Sequence, residues 1–522
     1  MGVTALAGTR RIPLIAAAVA VLTLVGVMLA ASSARATELV YWDNYKAEPA
    51  TIGTAQTDGS GGTSVNLTGV EIRQPEGMAY DPVTNRLYLA NEGPIGSGGQ
   101  IAFVNLDGSG GGVFTAPGAP IKQPEGIAID PATRTMYWAN AKSGETSIAW
   151  AKLDGSAGGV LNTTGAKVGS PYRLALDPVG GRVYWGDFEA SPGTLQYAQT
   201  DGSGGGEIPL ATPLGNLYGM AVDPGNGRLY WLNSESTVKS LFFTGLSGGA
   251  VGSIPLGAAD NDGYGVAIDP ALGKAYWGNY GNAELATNAI GFTTFSGSTG
   301  GITPVGAPVN GPQDPVIIKS PSGSGAPQLT QSKAQLSCSQ GSWAGDNPGG
   351  SVFQSPRSYE YKWSFNGATI NGATGSSLGA TSPGTYGCTV TATNQAGSAS
   401  QSSSSSVAVT AASLKLSAAK KKAKAKPGKV VTFNVQVANG GDLASSAGQA
   451  CVKLPKGKKA RKALKPQKCK TLGALGSGGS ATAKVGLKIK PKALPGLYKV
   501  TITVPGTAGV KVAVKVLPQS RG

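Results

Sequence analysis

A tyrosine followed by tryptophan, or once by leucine, recurs at Tyr41, Tyr88, Tyr137, Tyr184, Tyr230 and Tyr276, at intervals of 47, 49, 47, 46 and 46 residues by subtraction. The third copy reads Gln123-Pro124-Glu125-Gly126-Ile127-Ala128-Ile129-Asp130-Pro131, then Met136-Tyr137-Trp138-Ala139-Asn140, then Leu153-Asp154-Gly155-Ser156. Asp-Pro suits a turn, because the Asp side chain caps it and Pro presets φ at the next position. Asp-Gly, repeated at Asp58, Asp107, Asp154 and Asp201, is hairpin chemistry. Short strands and Gly-rich turns at this period predict the blades of a propeller. The 80 glycines in 522 residues therefore read as tight turns, since only 14% of residues are charged and strand patterns run throughout.

Leu39-Val40-Tyr41-Trp42-Asp43-Asn44 enters a blade at its second strand, without the Pro-Glu-Gly strand before it. Five copies of that inner strand follow, starting at Gln74, Gln123, Ser170, Leu217 and Gly263, and the sixth stands at the far end, in Gly311 to Pro321. The reading is a six-bladed ring whose first blade is closed by the C-terminal strand, which removes two open sheet edges.

Pro-Glu-Gly-Ile-Ala-Ile-Asp, Tyr-Trp-x-Asn and Leu-Asp-Gly-Ser together resemble the YWTD repeat, the class B repeat of low-density lipoprotein receptors, across about residues 38–321. That resemblance implies a six-bladed propeller. The motif threonine is replaced by Asp43, Ala90, Ala139, Gly186, Leu232 and Gly278, and the motif aspartate survives only at Asp187, with Asn44, Asn91, Asn140, Asn233 and Asn279 elsewhere. The fold tolerates Asn there, whereas inherited receptor partners do not follow.

After a Ser/Gly linker at 322–325, residues 326–410 carry Cys338, Trp363, Tyr386 and Cys388, the arrangement of an immunoglobulin-like sandwich with an inter-sheet disulfide, a buried Trp and a tyrosine corner. The stretch Gly384 to Asn394 resembles bacterial surface Ig-like repeats. Residues 411–517 resemble small bacterial β-sandwich modules of the CARDB type, with Cys451 and Cys469 as a second local pair. Two local pairs fit an oxidising compartment; a zinc site made from all four lacks the short paired spacing. The expected fold class is all-β, a six-bladed propeller plus two C-terminal Ig-like β-sandwiches.

Residues 1–36 read as an export signal: Arg10 and Arg11, an apolar run from Leu14 to Ala31, and Ala34-Arg35-Ala36 before Thr37. The run also approaches the roughly 20 residues that span a bilayer, so an uncleaved anchor stays open. Sec and twin-arginine routes also stay open, with Pro13 departing from the twin-arginine pattern. An exported, extracellular or envelope-associated protein is expected, working as a monomer.

No histidine occurs, which removes the commonest general base and imidazole metal sites. Inner strands converge on one mouth of a propeller channel, and alignment of the copies places Glu76, Glu125, Tyr172, Tyr218 and Tyr264 there, with Gln313 or Pro315 from the closing strand and Arg173 beside the acids. Such a cup suits an extracellular protein or glycan ligand, and a solvated rim with no ligand is the plain alternative. No cofactor is expected. Calcium enters only through two weak patterns: a channel carboxylate of the kind sugar lactonases use, at Glu76 or Glu125, and Asp260-Asn261-Asp262-Gly263, half of a calcium loop and more simply a turn. No catalytic residue is assigned; a metal-dependent lactonase-like hydrolase is the alternative to noncatalytic binding.

From residue 412 onward the chain has 24 Lys and Arg against the single acid Asp442, while residues 1–411 have 20 against 27, so the net +16 is +23 on the last module and −7 on the rest. Lys420, Lys421, Lys422, Lys424 and Lys426, with Lys458, Lys459, Arg461 and Lys462, are candidate contacts to a polyanion: an anionic cell-wall polymer or the envelope. No aromatic residues interleave with them, so specific nucleic-acid binding is not expected.

Overall fold

Four-stranded antiparallel sheets follow the repeat copy by copy. The computed structural model describes residues 37–92, 98–187, 193–212, 214–215, 217–233, 239–260, 262–281 and 289–519; the expected signal segment 1–36 lies outside the described residues. Blade 2 runs Pro75–Asp81, Arg86–Asn91, Gln100–Asn105 and Gly110–Phe114, from the inner strand outward. Blades 3 to 6 repeat this order, their inner strands being Pro124–Asp130, Pro171–Asp177, Gly219–Asp223 and Gly263–Asp269. Blade 1 takes its inner strand, Pro312–Lys319, from the far end of the repeat region and pairs it with Glu38–Asn44, Tyr41 opposite Val316 and Val40 opposite Ile317. The molecule is therefore a six-bladed β-propeller closed through its first blade.

The recurring residues explain why the sheets stack. An apolar cluster fills each junction between successive blades; one joins Tyr88 and Ala90 of blade 2 to Ile127, Met136 and Trp138 of blade 3. Trp42, Trp138, Trp185 and Trp277 are fully buried. The Trp-x-Asn pair also clamps the chain entering from the preceding blade. Trp138 Nε1 and Asn140 Nδ2 both donate to Pro120 O, at 3.0 and 3.1 Å, while Asn140 Oδ1 accepts from Lys122 N at 2.9 Å. Asp187 does the same for Gly169 N and Ser170 N, at 2.7 and 3.1 Å. Asn replaces Asp at little cost because the contacts include backbone donors that either residue accepts. The Asp-Pro turns form as expected, with Asp81 Oδ1 accepting from Val83 N and Asp130 Oδ1 from Ala132 N.

Two β-sandwiches follow. In the first, Cys338 and Cys388 form a disulfide, Trp363 lies opposite Cys388 on the neighbouring strand, and Tyr386 donates to Ser382 O at 2.8 Å. The second packs Leu414–Ala418, Val430–Asn439, Ser480–Ile489 and Leu464–Pro466 against Lys422–Ala425, Val510–Val516, Gly496–Thr503, Gly448–Lys453 and Lys470–Leu472. Cys451 and Cys469 form its disulfide. Among the described residues no helix is long and apolar enough to cross a membrane.

In the Ser/Gly linker at 322–325, Gly323–Gly325 pairs with Ser342–Trp343. Beyond it the first sandwich sends a loop into the propeller. Pro348–Gly350 forms a tight turn against the inner strands of blades 3, 4, 5 and 6, where those strands end. A side chain on Gly349 would meet the carbonyl oxygens of Leu176 and Val222, so only glycine fits. Val352–Phe353 then pairs in parallel with the closing strand, Val352 opposite Ile317, and Phe353 packs edge-on against Tyr80 at 4.9 Å. The turn at Asn394–Ala396 adds hydrogen bonds to Lys319 O, Asn85 and Leu106 O. One end of the channel is thus stoppered by the next module.

Candidate functional site

The open question is what occupies the other end, where the inner strands begin. Four of the six carry, at or near their start, a non-glycine residue in the left-handed region: Gln74, Gln123, Asp262 and Asp314 have φ between 42° and 53°. Glu76, Glu125 and Tyr264 follow such a residue by two positions, whereas Tyr172 in blade 4 has no such residue before it.

The expected cup is not a solvated rim. Glu76 is 7% exposed and Glu125 9%, and the guanidinium of Arg173, 3% exposed, lies against Glu76. Its Nη1 donates to Glu76 O and, at 3.1 Å, to Asp314 Oδ2; its Nη2 reaches Gln313 Oε1 at 2.9 Å and Glu76 Oε2 at 3.4 Å. One side chain from blade 4 therefore ties blades 1 and 2 across the channel. Below it a cavity of about 40 Å³, lined by Gly77, Gly126, Arg173, Asp314 and Ser351, has room for a water molecule or two.

Two acids that sequence reasoning did not assign to the site join this cluster. Asp43, which stands where the repeat has threonine, is fully buried, and among the described residues neither of its carboxylate oxygens has a hydrogen-bond partner. Asp314 belongs to the closing strand. Burial pushes Asp43 and Glu125 well above the usual carboxylate range, helped by neighbouring acids and opposed by Arg173. Burial likewise carries Glu76 to about 7 against the pull of Arg173. Four carboxylates around one guanidinium are kept in low dielectric partly by holding protons.

Above this floor the tyrosines form an arc. Tyr218 and Tyr264 have ring centroids 4.6 Å apart, Tyr264 and Tyr280 4.8 Å, and Tyr45 and Tyr280 5.7 Å. Tyr172 donates to Glu76 Oε2 at 3.3 Å. Lys46 Nζ caps Tyr280, 3.8 Å from its centroid. Glu92 accepts a hydrogen bond from Gln123 at 3.1 Å. Tyr45, Glu92 and Tyr280 each follow the Asn of the second-strand motif, a position that varies from copy to copy. That variation was the available signal. The segments 93–97, 188–192, 234–238 and 282–288 lie outside the described residues.

The sequence-predicted mouth residues are thus brought together, with Glu76 and Glu125 as floor and Tyr172, Tyr218 and Tyr264 half-buried as wall. Gln313 joins the floor through Arg173. Among the described residues no group of three or more His, Cys, Asp or Glu side chains could hold a metal ion. Of the half calcium loop, Asn261 lies outside the described residues, while Asp260 is buried, 3.8 Å from Lys239 Nζ.

The sequence-predicted basic residues lie on two segments of the last sandwich. Lys422 and Lys424 lie on the edge strand Lys422–Ala425, with Lys420, Lys421 and Lys426 flanking it; Lys458, Lys459, Arg461 and Lys462 lie on the short helix Lys458–Ala463, which precedes the edge strand of the other sheet.

Fold and site define an all-β, two-disulfide protein in which a stoppered six-bladed propeller presents a tyrosine and carboxylate bowl, followed by Ig-like modules. The model of the NPCBM-associated, NEW3 domain of alpha-galactosidase matches residues 425–506, within the last sandwich. No curated protein matches the chain. Similar solved structures include a nidogen/laminin complex, at 18% identity over 54% of this chain and 98% of that one, TM-score 0.42. A gluconolactonase, XC5397 from Xanthomonas campestris, matches at 16% identity over 59% and 94%, TM-score 0.36. A TolB-like protein from Agrobacterium tumefaciens matches at 12% over 54% and 98%, TM-score 0.36.

Proposed function

We propose that this is an exported, noncatalytic glycan-binding protein whose ligand rests on the tyrosine arc of the propeller mouth. The observation that carries the reading is the chain of four rings, Tyr45, Tyr280, Tyr264 and Tyr218, set beside an acidic floor. Sugar rings offer C–H faces that pack on aromatic surfaces and hydroxyls that donate to carboxylates, so the two halves of the bowl match the two kinds of surface on a sugar. Arg173 engages the floor acids in holding blades together, which suits a fixed binding surface. The match of the last module to a family named for alpha-galactosidase supports a carbohydrate setting, and the two disulfides support an oxidising one.

The test is a glycan array probed with the chain from Thr37 onward, repeated with Tyr218→Ala and Tyr264→Ala. Each substitution lowers affinity roughly tenfold if the arc is the platform. Absence of any glycan signal, or binding indifferent to both changes, would sink the reading. The hydrolase alternative would rest on Glu76, which Tyr172 and Arg173 hold at the mouth and whose carboxyl burial pushes up toward the range of a general base. Lactone turnover by the parent chain that Glu76→Gln abolishes would replace binding with catalysis.

A further inference from the structure

The C-terminal sandwich has two unlike ends. At one end, Asn439 to Leu443 and Ser477 meet the Ig-like module: Thr410 donates to Asp442 through its backbone N and hydroxyl, Lys333 Nζ donates to Ser477 O at 3.2 Å, and Leu443 packs against the Ig-like core. The ten-residue strand Val430–Asn439 spans about 30 Å to the opposite end.

That opposite end is assembled from four separate pieces of chain. Ile489 exchanges backbone hydrogen bonds with the 428–429 turn, Lys490 N donates to Ala463 O at the end of the short helix, and Leu517 N donates to Ala425 O. Gly496 pairs with Val516. Basic side chains converge there from every piece: Lys424 and Lys515, opposite one another across adjacent strands, Lys429 and Lys492 on the turns, and Arg461 and Lys462 at the helix end. The only acid of this module, Asp442, is at the other end.

Two leucines stand among these charges. Leu494 is 70% exposed and Leu497 60%. They are held in place, since Tyr498 donates its hydroxyl to Leu494 O at 2.8 Å and Leu497 lies in the strand opposite Lys515.

We infer that this end is a docking surface for an anionic lipid bilayer, with Leu494 and Leu497 entering the interfacial region while the surrounding lysines and arginines meet the headgroups. Charge alone would suit any polyanion. A soluble phosphate or uronate polymer gives exposed leucines nothing to enter, whereas a bilayer interface takes up basic and apolar side chains together. The position, at the end remote from the Ig-like module, leaves the surface free to meet a membrane. The inference does not depend on what the propeller binds.

The test is co-sedimentation of the chain from Thr37 onward, which forms one compact unit, with vesicles of phosphatidylcholine alone or mixed equally with phosphatidylglycerol. The expected result is salt-sensitive binding to the mixed vesicles only. Leu494→Ser with Leu497→Ser lowers that binding roughly tenfold or more and leaves binding to soluble polyphosphate unchanged, while Lys492→Gln with Lys515→Gln weakens both. All four positions are exposed, so the melting temperature stays that of the parent. No binding to anionic vesicles would overturn the inference. So would a leucine variant that sediments like the parent, which would mean a soluble polyanion, or parent chains that self-associate through the leucines in sedimentation velocity.

Discussion

Arg173→Met tests whether the guanidinium is the centre of the propeller's electrostatics. Methionine keeps much of the apolar volume but removes the cation bonded to Glu76, Asp314 and Gln313. Removing one partner of a buried ion pair costs about 3–5 kcal/mol, because the remaining charges stay out of water. Here the cost depends on pH. Glu76 stands at about 7 in the folded chain against an ordinary value of 4.5. The stabilising proton is therefore fully held below about 4.5, and the advantage is lost as pH rises toward 7. Arg173 pulls the values of Asp43, Glu76, Glu125 and Asp314 downward. Without it these groups hold protons to higher pH, so the decline in stability continues above 7. The variant should lose about 1–2 kcal/mol at pH 5, where protonation relieves the acids, and the full cost at pH 8. For a propeller of this size that full cost is a fall of roughly 5–8 °C in melting temperature. Scanning calorimetry at the two pH values reads this directly. A loss equal at both, or larger at pH 5, would refute the reasoning.

Two further outcomes follow from the closure of the ring. Phe353→Ala empties the contact with Tyr80 and costs about 3–5 kcal/mol, and calorimetry should show the propeller and Ig-like module, which share this cluster, both shifted downward; a shift confined to the Ig-like module would show that the stopper does not support the propeller. A chain ending at Asn310 lacks the strand opposite Glu38–Asn44, leaves two sheet edges open and should aggregate or lose its cooperative melt; an unchanged melt would contradict the closure.

The ring was legible because its information is repeated. Asp-Pro turns, Asp-Gly hairpins and the Trp-x-Asn clamp are local chemistry, and six copies averaged away the departures at Asp43 or Leu89. The last strand could be paired with the first because a blade lacking its inner strand leaves a deficit that Pro312–Lys319 alone fills. The site was legible by position only. The variable residue at the head of each inner strand marked Glu76, Glu125, Tyr172, Tyr218 and Tyr264, but their burial could not be read, since exposure depends on how near the axis each blade stands.

What the sequence determined by itself is therefore what short-range chemistry repeats: blade number, turn positions, ring closure, the two cysteine pairings and the confinement of positive charge to the last module. The tertiary structure alone decided the rest. It brought Asp43, Asp314 and Arg173, at least 130 positions apart in every pair, into one buried cluster. It drove Pro348–Phe353 into the channel, and it gathered Lys424, Arg461, Lys492 and Lys515 around two exposed leucines. These arrangements depend on contacts between segments with no shared pattern, and a periodic sequence carries no record of which distant residues its closure will make neighbours.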